Sequence, residues 1–184
     1  MDRGIDFLKS QINNAVMQHK TFVENLSDHA SQADDERFRS LCSTFLPKAT
    51  AHQQMLEDYQ REIGAEAGMA KKALGKVLGA ARDLADAPRD GDFLRLVGDI
   101  VTARQAEDTF KTFREAGRAL GIQRLAQIGE TGERDHDEYV KQANRLVQQL
   151  FVEHVLAGDT AGLNISPTAS AASRDTGLGL SDRS

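Results

Sequence analysis

Residues 5–26 read IDFLKSQINNAVMQHKTFVENL. Within them Ile5, Leu8, Ile12, Val16, Val23 and Leu26 recur three, four or seven positions apart, which lines them along one face of an α-helix. His19 fills the step between Val16 and Val23, so this face carries an imidazole toward the core. The helix is expected to stop near Ser31-Gln32-Ala33-Asp34-Asp35, where the carboxylates suit the start of another.

The same periodicity continues outward. A second helix runs through Phe38, Leu41, Phe45, Ala49, Leu56, Tyr59 and Ile63 to Gly64. Pro47 inside it should kink it or delay its start, because proline lacks a backbone donor. A third helix follows Phe93, Leu96, Ile100, Ala103, Phe110, Phe113 and Leu120. A fourth runs from about Ile122 to Leu156 through Leu125, Ile128, Tyr139, Ala143, Leu146 and Leu150, with a bend expected at Gly129 and Gly132. Residues 64–92 read as a crossover holding Gly64, Gly68, Gly75 and Gly79 and a short helix around Leu74, Val77 and Leu78. No long stretch alternates apolar and polar residues. The expected fold is all-α: a four-helix bundle over residues 1–157 with one long crossover, then a tail over 158–184.

Composition narrows the function. The 184 residues carry a net charge of -5, which argues against a nucleic-acid partner. A single cysteine, Cys42, rules out an internal disulfide and suits a reducing, cytoplasmic setting. No signal peptide is recognised, and no apolar run reaches the roughly eighteen residues that a membrane span needs.

Three histidines fall on the apolar stripes: His19, His52 between Ala49 and Leu56, and His136 between Gly132 and Tyr139. Counted from a turn near residue 34, His19 and His52 stand at levels of ~22 and ~27 Å. Counted from a turn near residue 121, Glu107 and His136 stand at ~21 and ~22 Å. If the two hairpins align, His19, His52, Glu107, Glu133 and His136 converge at mid-bundle as a metal site for Fe, Mn or Zn. The alternative is that each histidine is an isolated, hydrogen-bonded core residue in a metal-free structural or adaptor bundle. His29 and His154 lie near helix ends and Cys42 near the apolar face, where packing is the expected role.

Phe38-Arg39-Ser40-Leu41, His52, Tyr59-Gln60-Arg61-Glu62-Ile63-Gly64 and Thr109-Phe110-Lys111-Thr112-Phe113-Arg114 give residues 5–155 a layout that resembles the ferritin-like superfamily. The nearest resemblance is to its small bacterial stress-associated bundles of the YciF type. That resemblance implies a glutamate from the first and third helices and Glu-x-x-His from the second and fourth. The chain keeps Glu133-Arg134-Asp135-His136, has Ala49 three before His52, has His19 where a glutamate is implied, and offers Glu107 on the third helix. The carboxylate set is incomplete, which points to binding or a stress-related role more than robust oxidase catalysis. Analogy with such bundles also implies a homodimer.

The tail repeats itself. Asp159-Thr160-Ala161-Gly162-Leu163-Asn164-Ile165-Ser166 is echoed by Asp175-Thr176-Gly177-Leu178-Gly179-Leu180-Ser181 across a spacer without apolar periodicity. Such a spacer buries too little surface to fold, so a disordered tail is expected. The motif resembles the cargo-loading peptides that carry ferritin-like proteins into encapsulin shells. By that resemblance Leu163, Ile165, Leu178 and Leu180 are docking anchors, and Gly162 and Gly177 let the backbone lie close to a groove. A fluorescent protein carrying residues 157–184 should co-purify with a shell or other partner, and Leu163→Asp with Leu178→Asp should abolish the capture. Unchanged capture would remove the anchor role.

Overall fold

In the computed structural model residues 3–65 and 91–157 are described, and nearly all of them are helical. Helix α1 spans Arg3–Gln32, α2 Glu36–Glu62, α3 Gly91–Leu120 and α4 Gln123–Ala157. The four form an all-α helical bundle, as the periodicity predicts. The expected crossover helix and the tail motifs lie outside the described residues. No helix among the described residues is long and apolar enough to cross a membrane.

Short side chains and glycines set the helix ends. The Asp35 carboxylate caps α2, accepting from the backbone N–H of Arg37 at 2.9 Å and of Phe38 at 3.2 Å. The Asp35 N–H in turn donates to the Asp92 carboxylate at 2.6 Å, tying the start of α2 to the start of α3. At its far end α2 stops at Gly64, which adopts a φ of 62°, while Ala65 N–H bonds back to the Gln60 carbonyl. Gly121, at φ 69°, closes α3 in the same way, with Ile122 N–H on the Gly117 carbonyl.

Pro47 neither delays nor interrupts α2, which is helical from Glu36 onward. Ile5 and Leu120 are exposed, so the stripes stop short of the helix ends, and Phe22, absent from the sequence reading, is buried more deeply than Val23. Gly129 and Gly132 have a different job from the expected bend. They lie in uninterrupted helix where α4 meets α3, and a Cβ on Gly129 would stand 2.2 Å from the Arg114 backbone nitrogen. A Cβ on Gly132 would overlap the Phe110 ring, and one on Gly117 the Ala126 backbone. The glycines let the two helices touch backbone to backbone.

The core divides into two apolar clusters. Phe22, Leu26, Phe38, Phe45, Tyr139 and Leu146 belong to one. Ile12, Val16, Leu56, Phe110, Leu125 and Ile128 belong to the other. On α1, α2 and α4 a buried histidine falls between the two sets, with Gln53 and Asp135 beside two of them. The tight α3–α4 contact predicts that Gly129→Ala destabilises by about 2–4 kcal/mol, because the obstacle is backbone and cannot rotate away. Gly98→Ala, with nothing within 4 Å, should instead stabilise by about 0.5–1 kcal/mol. Urea unfolding midpoints of the two variants measure both.

Candidate metal centre

His19, His52 and His136 come from α1, α2 and α4 and are 3 %, 2 % and 0 % exposed. One ligating nitrogen from each lies within 4.8 Å of the others. The hairpins therefore do align at this level.

Their hydrogen bonds fix the tautomers. His136 Nδ1 is 2.7 Å from the Gly132 carbonyl, which only accepts, so Nδ1 carries the proton and Nε2 is a bare lone pair. His19 Nδ1 is 3.1 Å from Gln53 Oε1. The Gln53 amide is oriented by its nitrogen, which donates to Glu57 at 2.7 Å and to the Val16 carbonyl at 3.3 Å. Its oxygen therefore accepts from His19 Nδ1–H and leaves His19 Nε2 bare as well. His52 Nε2 is 3.2 Å from the Asp135 carboxylate, while its Nδ1 is buried without any hydrogen-bond partner. Carbonyl, amide and carboxylate thus each hold one outer nitrogen, the arrangement that orients metal-binding imidazoles.

The two bare nitrogens, Nε2 of His19 and Nε2 of His136, stand 3.2 Å apart. Two lone pairs at that distance repel unless a cation lies between them. Two ligands about 2.05 Å from one tetrahedral ion lie about 3.3 Å apart, so the spacing matches a shared ion.

Around the imidazoles stand Phe110, with ring centroids 5.6, 5.7 and 5.0 Å from His19, His52 and His136, and Phe22 and Phe45, each 5.5 Å from His136. This cage keeps the rings neutral. Burial, aided by His136, lowers the pKa of His19 to about 3. Burial, chiefly, brings His52 and His136 to about 4. Burial pushes the Asp135 carboxyl up, but Arg134, His52 and Lys48 outweigh it and hold it below its ordinary value.

Glu107 and Glu133 do not join the histidines. Glu107 pairs with Arg104 at 3.0 Å, and Glu133 is engaged by the Arg114 guanidinium across the α3–α4 contact. Sequence reading also passed over Gln53 and Asp135. Their signal was position: Gln53 follows His52 and Asp135 precedes His136, each close enough in sequence to orient a ring on another helix. A second group was missed altogether. His29, Cys42 and Asp99 each offer a ligand atom within 4.8 Å of the others. Asp99 is in step with Leu96 and Ala103, and a carboxylate on an apolar stripe was the clue.

Compared with known proteins, the chain matches no family model, no curated protein sequence and no solved structure.

The neutral imidazoles make stability depend on pH. In chelator-treated protein the three rings stay unprotonated down to about pH 4, whereas in the unfolded chain they protonate near pH 6.5. Between these values the unfolded state binds more protons, so stability falls as pH falls, by up to about 1.4 kcal/mol per pH unit for each histidine. Urea midpoints taken from pH 7.5 to 4.5 should hold level above pH 6.5 and drop steeply below it. A flat profile would contradict buried neutral rings.

Proposed function

We propose that the bundle is a metal-binding protein whose His19, His52 and His136 hold one first-row transition ion. The observation that carries this reading is the pair of bare Nε2 atoms 3.2 Å apart, with the third ring's Nδ1 also unpartnered. Three imidazoles with no carboxylate among the ligands favour Zn or Fe over Mn, which prefers oxygen ligands. When bound, the ion supplies a cross-link between α1, α2 and α4 and a Lewis-acidic centre. The chain's own residues do the rest: Asp135, Gln53 and the Gly132 carbonyl orient the rings, and Phe22, Phe45 and Phe110 keep water away.

A dinuclear oxidase is disfavoured, because Glu107 and Glu133 are committed to arginines and no carboxylate among the described residues joins the three histidines as a ligand. With all three rings nearly inaccessible, the site suits structural binding or sequestration more than turnover. The ferritin-like kinship, the stress-related role and tail docking to an encapsulin-like shell belong to this proposal on the strength of sequence resemblance alone.

Metal analysis of protein purified without chelator tests the reading. His52→Ala and His136→Ala should each remove about one ion per chain, and the ion should stabilise the parent protein by about 2.7 kcal/mol at a hundredfold excess over its dissociation constant. Metal far below one per chain, unaffected by either substitution, would leave the metal-free structural bundle as the better reading.

A further inference from the structure

The core holds a second polar cluster, separated from the histidine layer by an aromatic one. Tyr139 packs on Phe45 at 4.8 Å and on Phe22 at 5.6 Å, and both phenylalanines touch His136. On its other side the Tyr139 hydroxyl donates to Asp99 Oδ2 at 3.3 Å. The same oxygen lies 2.8 Å from His29 Nδ1 and 4.0 Å from Cys42 Sγ. All four helices contribute one residue each.

Asp99 is the anomaly. It is 1 % exposed, no lysine or arginine among the described residues pairs with it, and its Oδ1 has no hydrogen-bond partner. Burying a carboxylate this way is costly unless a cation compensates it. His29 compensates one oxygen when protonated and leaves the other orphaned.

We propose that His29, Cys42 and Asp99 form a second metal site, for a thiophilic divalent ion of the zinc class. One nitrogen, one sulfur and one oxygen ligand, from three helices, make a donor set that a thiolate steers toward Zn and away from Mg or Ca. The ligand atoms lie within 4.8 Å of one another. At 2.8 Å His29 and Asp99 share a hydrogen bond, and Cys42 stands 4.0 Å from the same oxygen. A tetrahedral ion sets such N–O and S–O pairs about 3.3 and about 3.5 Å apart, so on binding the first pair opens and the second closes by about 0.5 Å each. Tyr139 acts as a positioning residue, holding the carboxylate from the side of the aromatic layer. His29, with 14 % of its side chain exposed, offers a route in that the deeper histidine layer lacks. Binding needs a thiolate, a carboxylate and a bare His29 Nδ1, so the proton on Cys42 Sγ and any on Asp99 leave to solvent, and any on His29 Nδ1 leaves to solvent or passes to Nε2. Burial raises the pKa of the Cys42 thiol, so the metal-free site keeps it protonated and unreactive.

Cys42 is the chain's single cysteine, so a sulfur signature has one source. The full chain, stripped with chelator, is titrated with Co2+ alone while the near-ultraviolet thiolate-to-cobalt charge-transfer band is followed. The band should grow to saturation at about one equivalent, persist in the His52→Ala/His136→Ala double variant, and vanish in Cys42→Ser. Asp99→Asn should weaken Co2+ binding at this site by at least about tenfold while keeping the side chain's shape. No band in folded parent protein overturns the proposal, and so does a band that survives Asp99→Asn and His29→Ala unchanged, which would mark an adventitious thiol complex. Because the first centre contains no sulfur, its success or failure is read separately from cobalt bound without the charge-transfer band.

Discussion

A neutral imidazole carries one proton for two nitrogens, and the interior of this bundle depends on how three such rings spend it. Each of His19, His52 and His136 directs one nitrogen to an acceptor outside the cluster: Gln53, Asp135 and the Gly132 carbonyl. The remaining nitrogens are left without protons in a place too apolar to protonate them. Packing around the layer maintains this state. Phe110 touches all three rings, and it reaches them because Gly132 has no Cβ to displace it. The same glycine supplies the carbonyl that orients His136. The missing methyl group of Gly132 makes room for Phe110, while the backbone carbonyl of the same residue sets the tautomer of a ring.

The layered core follows from this. The two apolar clusters lie on either side of the histidine layer, and Cys42 of the second polar group belongs to one of them. The two buried polar atoms left without partners among the described residues are His52 Nδ1 and Asp99 Oδ1. One sits in each polar cluster. Buried polar groups in folded proteins are nearly always satisfied, so these two orphans, one in each ligand-rich cluster, mark where the interior departs from ordinary packing. The carboxylates that the ferritin-like resemblance brings to mind went elsewhere. Glu133 is one turn from His136, but the tight approach of α3 sets Arg114 beside it, and the charge is neutralised at the helix interface.

Much of this was legible in the sequence, for reasons that can be stated residue by residue. The spacing of Ile12, Val16 and Leu26 determined a helix and its buried face, and His19 had to share that face because 3.6-residue periodicity leaves it no other direction. His52 and His136 followed by the same rule. Glu107 and Glu133 were harder, since a residue one step off the stripe can turn inward or outward and the partner across the interface decides which. Gln53 and Asp135 were passed over because they act on rings of other helices, and periodicity within one helix carries no such information.

The sequence by itself determined the all-α bundle, its four helices, and the inward placement of the three histidines, because local periodicity and turn chemistry are properties of short stretches. Tertiary structure alone decided that the histidines share one level, which proton each ring keeps, and that His29, Cys42 and Asp99 meet although 70 residues separate the first from the last. Those facts depend on the register between helices. Register is set by contacts such as Gly129 against Arg114, which exist only once the chain has folded.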